Sequence, residues 1–155
     1  MAHTKSLLFW ISEEGATAFR DLLADDPELT LVPLGSGGEL PRDPSTFGQA
    51  VIVADWAKLR RDPSLVDRWC AAFPPSGVAV LVRVPREAIG ETLASLRAHE
   101  IDDLVELPCH PGQLARKIRT TFRYLGDLQA VRRVQQELED QALDFKEFKI
   151  GRAHV

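Results

Sequence analysis

AVIVAD, residues 50–55, decides the fold. Five apolar residues without polar alternation mark a strand buried on both faces, and the run stops at a carboxylate, Asp55. Comparable runs lie on either side: SLLFWI at 6–11, LTLVPL at 29–34, GVAVLVRV at 77–84 and DLVEL at 103–107. Helical spacing fills the gaps. Ser12 is placed as an N-cap, Glu13 and Glu14 suit the dipole of a first turn, and Ala16, Phe19, Leu22 and Leu23 follow at helical intervals before Pro27. Pro63 fits the first position of a helix carrying Leu65, Val66, Trp69, Cys70 and Phe73. Ala88, Ile89, Leu93 and Leu96 mark another, weakened by Gly90, and Pro111 opens the last. Only GSGGELPRDPSTFGQ, residues 35–49, reads as a long loop. Strands alternating with helices predict a βα repeat: an α/β fold with a parallel sheet covered on both faces.

In such sheets functional groups gather outside the carboxyl ends of the strands. Those ends supply Ser12, Glu13 and Glu14 after the first strand and Asp55 after the third. The fourth strand brings Val82 and Arg83, and the fifth Leu107.

Composition narrows the classes. A chain of 155 residues is one domain's worth of sequence, and 45% hydrophobic with 27% charged residues is globular composition. Nineteen basic against 23 acidic side chains give a net charge of −4, so there is no bulk electrostatic case for nucleic acid. Cys70 and Cys109 make neither a disulfide framework nor a four-ligand zinc site, and His3, His99 and His154 lack ligand spacing. The adjacent Cys109 and His110 read as a turn rather than a nucleophilic dyad, and Lys58–Arg61 (KLRR) as a solvated loop or docking contact. A secretory leader and an 18-residue apolar run are both missing, so the expectation is a cytoplasmic protein without a membrane partner.

Helix-favouring sequence runs on from Pro111 to Lys149, about 57 Å at 1.5 Å per residue. Val131, Leu138 and Phe145 recur every seven residues, and Val134, Gln141 and Phe148 follow three later. These are the two apolar seams of a coiled coil, with Gln141 a polar interruption able to set register. Gly126 and Asp127 suggest a discontinuity ahead of it. The expected organisation is therefore a domain over 1–125 and a dimerising helix over 126–155.

From residue 5 to 125 the pattern resembles the receiver domain of bacterial two-component response regulators. The clearest stretch is IDDLVELPCHPGQLARKIRTTFRYL, residues 101–125, which is similar to the family's last strand, its Lys-Pro turn and its fifth helix. The resemblance implies a flavodoxin-like (βα)5 doubly wound parallel five-stranded sheet, here with a long C-terminal helix extending as a coiled coil. It also puts Asp55 at the phosphoacceptor position. There an acidic pair holds Mg²⁺ against the transferring phosphoryl oxygens, a Ser or Thr ends the fourth strand, and a Lys before the Pro holds the acyl phosphate. This chain departs at each support. Leu107 stands before Pro108, Val82 or Arg83 replaces the hydroxyl, and Ser12 with Glu13 or Glu14 replaces the acidic pair.

Arg83 can neutralise Asp55 directly, which favours one fixed conformation over a switch. The leading expectation is a non-enzymatic signalling module: a pseudo-receiver without ordinary phosphotransfer or cofactor, homodimeric through its last helix, working through protein partners. The first alternative is an atypical response regulator phosphorylated on Asp55 with Mg²⁺. The second is a small flavodoxin-like cofactor binder using the GSGG loop at 35–38.

Overall fold

All five apolar runs are strands: β1 (Lys5–Trp10), β2 (Leu29–Pro33), β3 (Gln49–Asp55), β4 (Val78–Pro85) and β5 (Asp103–Leu107). The structure, a computed structural model, describes residues 5–24, 26–41, 43 and 47–153, apart from the side chains of Leu22 and of residues 146–153. The strands form one all-parallel sheet in the order β2-β1-β3-β4-β5: the parallel sheet expected from the alternation of elements, in the doubly wound, flavodoxin-like arrangement that the family resemblance implies.

The central strands explain why AVIVA has no polar alternation. Val51 and Val53 face one layer with Leu7, Phe9 and Leu81, while Ile52 and Ala54 face the other with Leu8, Val80 and Val82. Helices α1 (Glu13–Leu23) and α5 (Pro111–Ala153) cover the first layer. Three shorter helices, α2 (Trp56–Leu59), α3 (Leu65–Ala71) and α4 (Ile89–Leu96), cover the second. Each fully buried Val, Ile or Leu contributes about 1.5–3 kcal/mol, so neither layer is dispensable.

Local chemistry sets the helix starts. Ser12 caps α1 by accepting a 3.3 Å hydrogen bond at Oγ from the Gly15 amide, and Phe19 and Leu23 then fall on the buried face. The helix ends at Leu23, short of Pro27. α3 begins at Leu65 rather than at Pro63. One element differs in kind: where Lys58–Arg61 reads as a solvated loop or docking contact, Trp56–Leu59 closes a helical turn because Trp56 and Leu59 are buried under the sheet. The 35–49 loop is pinned where Trp69 Nε1 donates to the Gly38 carbonyl at 2.8 Å. Gly38 sits at φ +80°, with the Trp10 ring and Leu65 3.1–3.2 Å from where a Cβ would be, so a side chain is excluded twice over.

α5 is a single helix of 43 residues, about 64 Å long. It passes through Gly126 and Asp127 without the expected discontinuity and beyond Lys149 to Ala153. Leu114, Ile118, Phe122 and Leu125 seat its first half on the sheet. The last anchor is Gln129, whose Nε2 donates to the Ser76 carbonyl at 3.2 Å while its Oε1 accepts from Gln49 Nε2 at 2.9 Å. Every side chain from 130 to 145 is exposed.

Candidate functional site

Register brings Asp55 and Arg83 together. β3 and β4 align Ala54 with Val82 and Asp55 with Arg83, so of the two residues that stand near the end of the fourth strand it is Arg83 that flanks the carboxylate. Val82 is fully buried in the opposite layer. Arg83 Nε lies 2.9 Å from Asp55 Oδ1, and both side chains are 11% exposed. The contact is an ion pair by proximity: the N–H is not directed at the oxygen, and neither atom makes a hydrogen bond. The other carboxylate oxygen, Oδ2, accepts from the Ser12 amide at 2.8 Å.

Burial pushes the Asp55 carboxyl above its ordinary value, against the opposing pull of Arg83, the Ser12 amide and Lys58. The guanidinium rests against α1 at Gly15, where a Cβ would stand 2.3 Å from Nη1. Gly15 is thus a residue of this site that sequence reasoning passed over. Its signal was a glycine in the first turn of a helix, a position where nothing local asks for one.

Glu13 and Glu14 do not join Asp55. Both are exposed on the first turn of α1, and the polar partners of Asp55 are Arg83 and the Ser12 amide. Leu107 is half-buried beside a cis peptide bond to Pro108. It forms one wall of a cleft of about 350 Å³ with Ala18, Phe19, Pro111, Leu114 and Arg83, and with Glu14 also on its lining. Mg²⁺ takes near-octahedral oxygen ligation. Asp55 Oδ1 is covered by a guanidinium, and among the described residues no group of three or more His, Cys, Asp or Glu could hold a metal. The residues present therefore do not fit that ion.

The remaining candidates are less organised. In the glycine loop, the Gly37 amide donates to the loop's own Glu39 Oε2 at 3.2 Å, so that donor is already used. His110 Nδ1 accepts from the Gly112 amide at 3.0 Å and Cys109 Sγ contacts the His110 carbonyl, a local turn. Cys70, half-buried in the last turn of α3, has its thiol pKa pushed up to about 11, chiefly by burial. On α5, Val131, Val134, Leu138 and Phe145 are 54–59% exposed, and Gln141 is exposed with them. The Phe148 side chain lies outside the described residues. Leu143, 57% exposed, falls outside both seams.

Fold and site define a doubly wound α/β protein whose strand ends hold a nearly buried Arg83–Asp55 ion pair. No family model matches the chain, and no curated protein matches it either. Solved structures do. The adenylate cyclase from Rhodopirellula baltica superposes with a TM-score of 0.68 at 12% identity, over 87% of this chain and 98% of that one. The signal receiver domain assigned to a LuxO repressor protein from Vibrio parahaemolyticus gives 0.59 at 14%, over 84% and 98%. A response regulator receiver modulated diguanylate cyclase from Pelobacter carbinolicus gives 0.58 at 13%, over 81% and 97%. At these identities the likeness is one of fold: the chain has the fold of response-regulator receiver domains.

Proposed function

We propose that this protein is a non-enzymatic signal-transduction module: a pseudo-receiver that acts by protein–protein contact, dimerises through α5 and does not use Asp55 for phosphotransfer. The observation that carries the proposal is the Arg83–Asp55 pair. Phosphorylation needs an exposed carboxylate oxygen, a divalent cation beside it and a lysine to receive the product. In this chain one oxygen faces a guanidinium 2.9 Å away, the other takes a backbone amide, and Leu107 stands before Pro108. A cation supplied permanently by Arg83 removes the charge difference on which a phosphorylation switch depends.

Support for dimerisation is the row of exposed apolar side chains at Val131, Val134, Leu138 and Phe145, which with the polar Gln141 repeats at alternating three- and four-residue spacing on a continuous helix. Among the described residues no helix is long and apolar enough to cross a membrane. A cytoplasmic location, without nucleic-acid or membrane partners, belongs to the same reading.

The decisive experiment is intact mass spectrometry after incubation with Mg²⁺ and acetyl phosphate. The expected spectrum is unmodified protein. A phosphoryl adduct that disappears in Asp55→Asn would overturn the proposal in favour of a working, atypical response regulator.

A further inference from the structure

The cleft between α1, the end of β4 and the β5–α5 turn has an unusual polar base. Arg83 carries five N–H donors and is nearly buried, yet its one polar partner among the described residues is Asp55, held without a directed hydrogen bond. It is the only cation on the lining among the described residues. Much of the wall is apolar, from Ala18 and Phe19 of α1, Leu107 and Pro108 of the turn, and Pro111 and Leu114 of α5, while Ser12, Glu14 and Cys109 also line it. At about 350 Å³ the space lies within the range of small-molecule sites, which combine apolar walls with a few polar groups that fix orientation. Gly15 keeps the guanidinium in place, since a side chain there would displace it.

We infer that this cleft binds a small organic carboxylate, its oxyanion on the free Nη edge of Arg83 and its hydrocarbon body against Phe19, Leu107 and Leu114. A planar carboxylate matches the guanidinium fork and would supply the hydrogen bonds that Asp55 does not. Glu14, exposed on the lining, opposes any anion and so selects for ligands with enough apolar body to offset the repulsion. Because Pro111 and Leu114 belong to the first turn of α5, occupancy would be felt by the helix that carries the proposed dimer seam. The inference deepens the proposed function, since it takes Asp55 to remain unphosphorylated.

The test uses the full chain, ¹⁵N-labelled and titrated with phenylacetate, with phenylacetamide and inorganic phosphate as comparison probes. Phenylacetate is expected to shift the backbone amides of Gly15, Arg83 and Leu114. The uncharged amide should bind about tenfold more weakly or worse, as loss of a charge-assisted contact requires. Arg83→Gln should abolish the shifts. Ala18→Phe, which fills the cleft without touching the ion pair, should abolish them too, and it decides the matter if Arg83→Gln does not fold. Glu14→Gln should tighten binding by about twofold, the scale of one exposed charge.

Equal binding of phenylacetamide, shifts centred on Lys58 and Arg61, or phosphate binding as tightly as phenylacetate would each overturn the inference. The acetyl phosphate experiment separates the two levels. An Asp55 adduct defeats the pseudo-receiver reading, whereas no adduct and no phenylacetate shift defeats the ligand alone.

Discussion

Gly15→Ala is a substitution whose sign is set by a partner 68 positions away in sequence. In an ordinary helix interior, alanine is better than glycine by about 1 kcal/mol. At Gly15 the new Cβ would stand 2.3 Å from Arg83 Nη1 and 3.1 Å from its Cζ, so the guanidinium must move. Asp55, 8% exposed, then loses the cation beside it. Breaking a buried pair outright costs roughly 3–5 kcal/mol. Arg83 can swing into the adjoining cleft and keep part of its attraction, so about 2 kcal/mol is the appropriate scale.

Subtracting the helix gain leaves Gly15→Ala about 1 kcal/mol less stable than the parent, a fall in Tm of roughly 3–5 °C for a domain of this size. In an Arg83→Met background the guanidinium conflict is gone and only the end of the Ile11 side chain, 3.1 Å from the new Cβ, must give slightly, so the same change should stabilise by about 0.5 kcal/mol. Urea denaturation of the four proteins, followed by far-UV circular dichroism, closes the cycle. A coupling below about 0.5 kcal/mol, with Gly15→Ala stabilising both backgrounds alike, would refute the packing of Arg83 on α1 and with it the account of the site.

Gly126→Ala should behave in the opposite way: the nearest atom to a Cβ there is Gln49 Nε2 at 3.5 Å, an ordinary contact. A gain of about 0.5–1 kcal/mol in urea melts is expected, and a loss would contradict a continuous helix at that point. Because the folded-state carboxyl of Asp55 lies above its ordinary value of 3.8, the native state binds a proton more tightly than the unfolded chain. Its contribution to stability therefore falls as pH rises from 3.8 through the raised value and is constant above it. Melts of the parent and Asp55→Asn across that window should differ in slope with this sign; parallel profiles would sink the assignment. Leu138→Asp, at an exposed seam position, should convert a dimer to a monomer in light scattering while changing domain stability by less than about 0.5 kcal/mol. An unchanged mass would remove the seam.

The central strands were legible because a sheet covered on both faces needs successive apolar residues, as in 50–54 and 78–82. The edge strand at 103–107 is less uniform, with Asp103 and Glu106 exposed around buried Val105. Their order, and hence the position of Asp55 at a strand end, followed from the alternation with helices. The neighbour of Asp55 was harder. Val82 and Arg83 differ by one residue, which is one face of a strand, and only the β3–β4 register separates them. Gly15 was invisible for a related reason, since its value lies in what approaches from another element. Lys58–Arg61 reads as a solvated loop because its lysine and arginines dominate, while the buried side chains of Trp56 and Leu59 decide the local conformation. At Gly126 the rule that glycine weakens helices pointed to a break, but tertiary hydrogen bonds at Gln129 hold the next turn to the sheet.

Those hydrogen bonds also give α5 a mechanical property. Gln129 is where the helix leaves the body, so it acts as a fulcrum between an inner arm that starts beside Arg83 and an outer arm carrying Val131 to Phe145. The outer arm spans 16 residues from Gln129 to Phe145, about 24 Å, so a tilt of about 5° would move Phe145 by roughly 2 Å. That is a sizeable part of the spacing between packed side chains in a helical seam, enough to turn a matched pair of surfaces into a mismatched one. Changes at the strand ends too small to disturb the sheet could thus be read out at the far end of a single rigid rod.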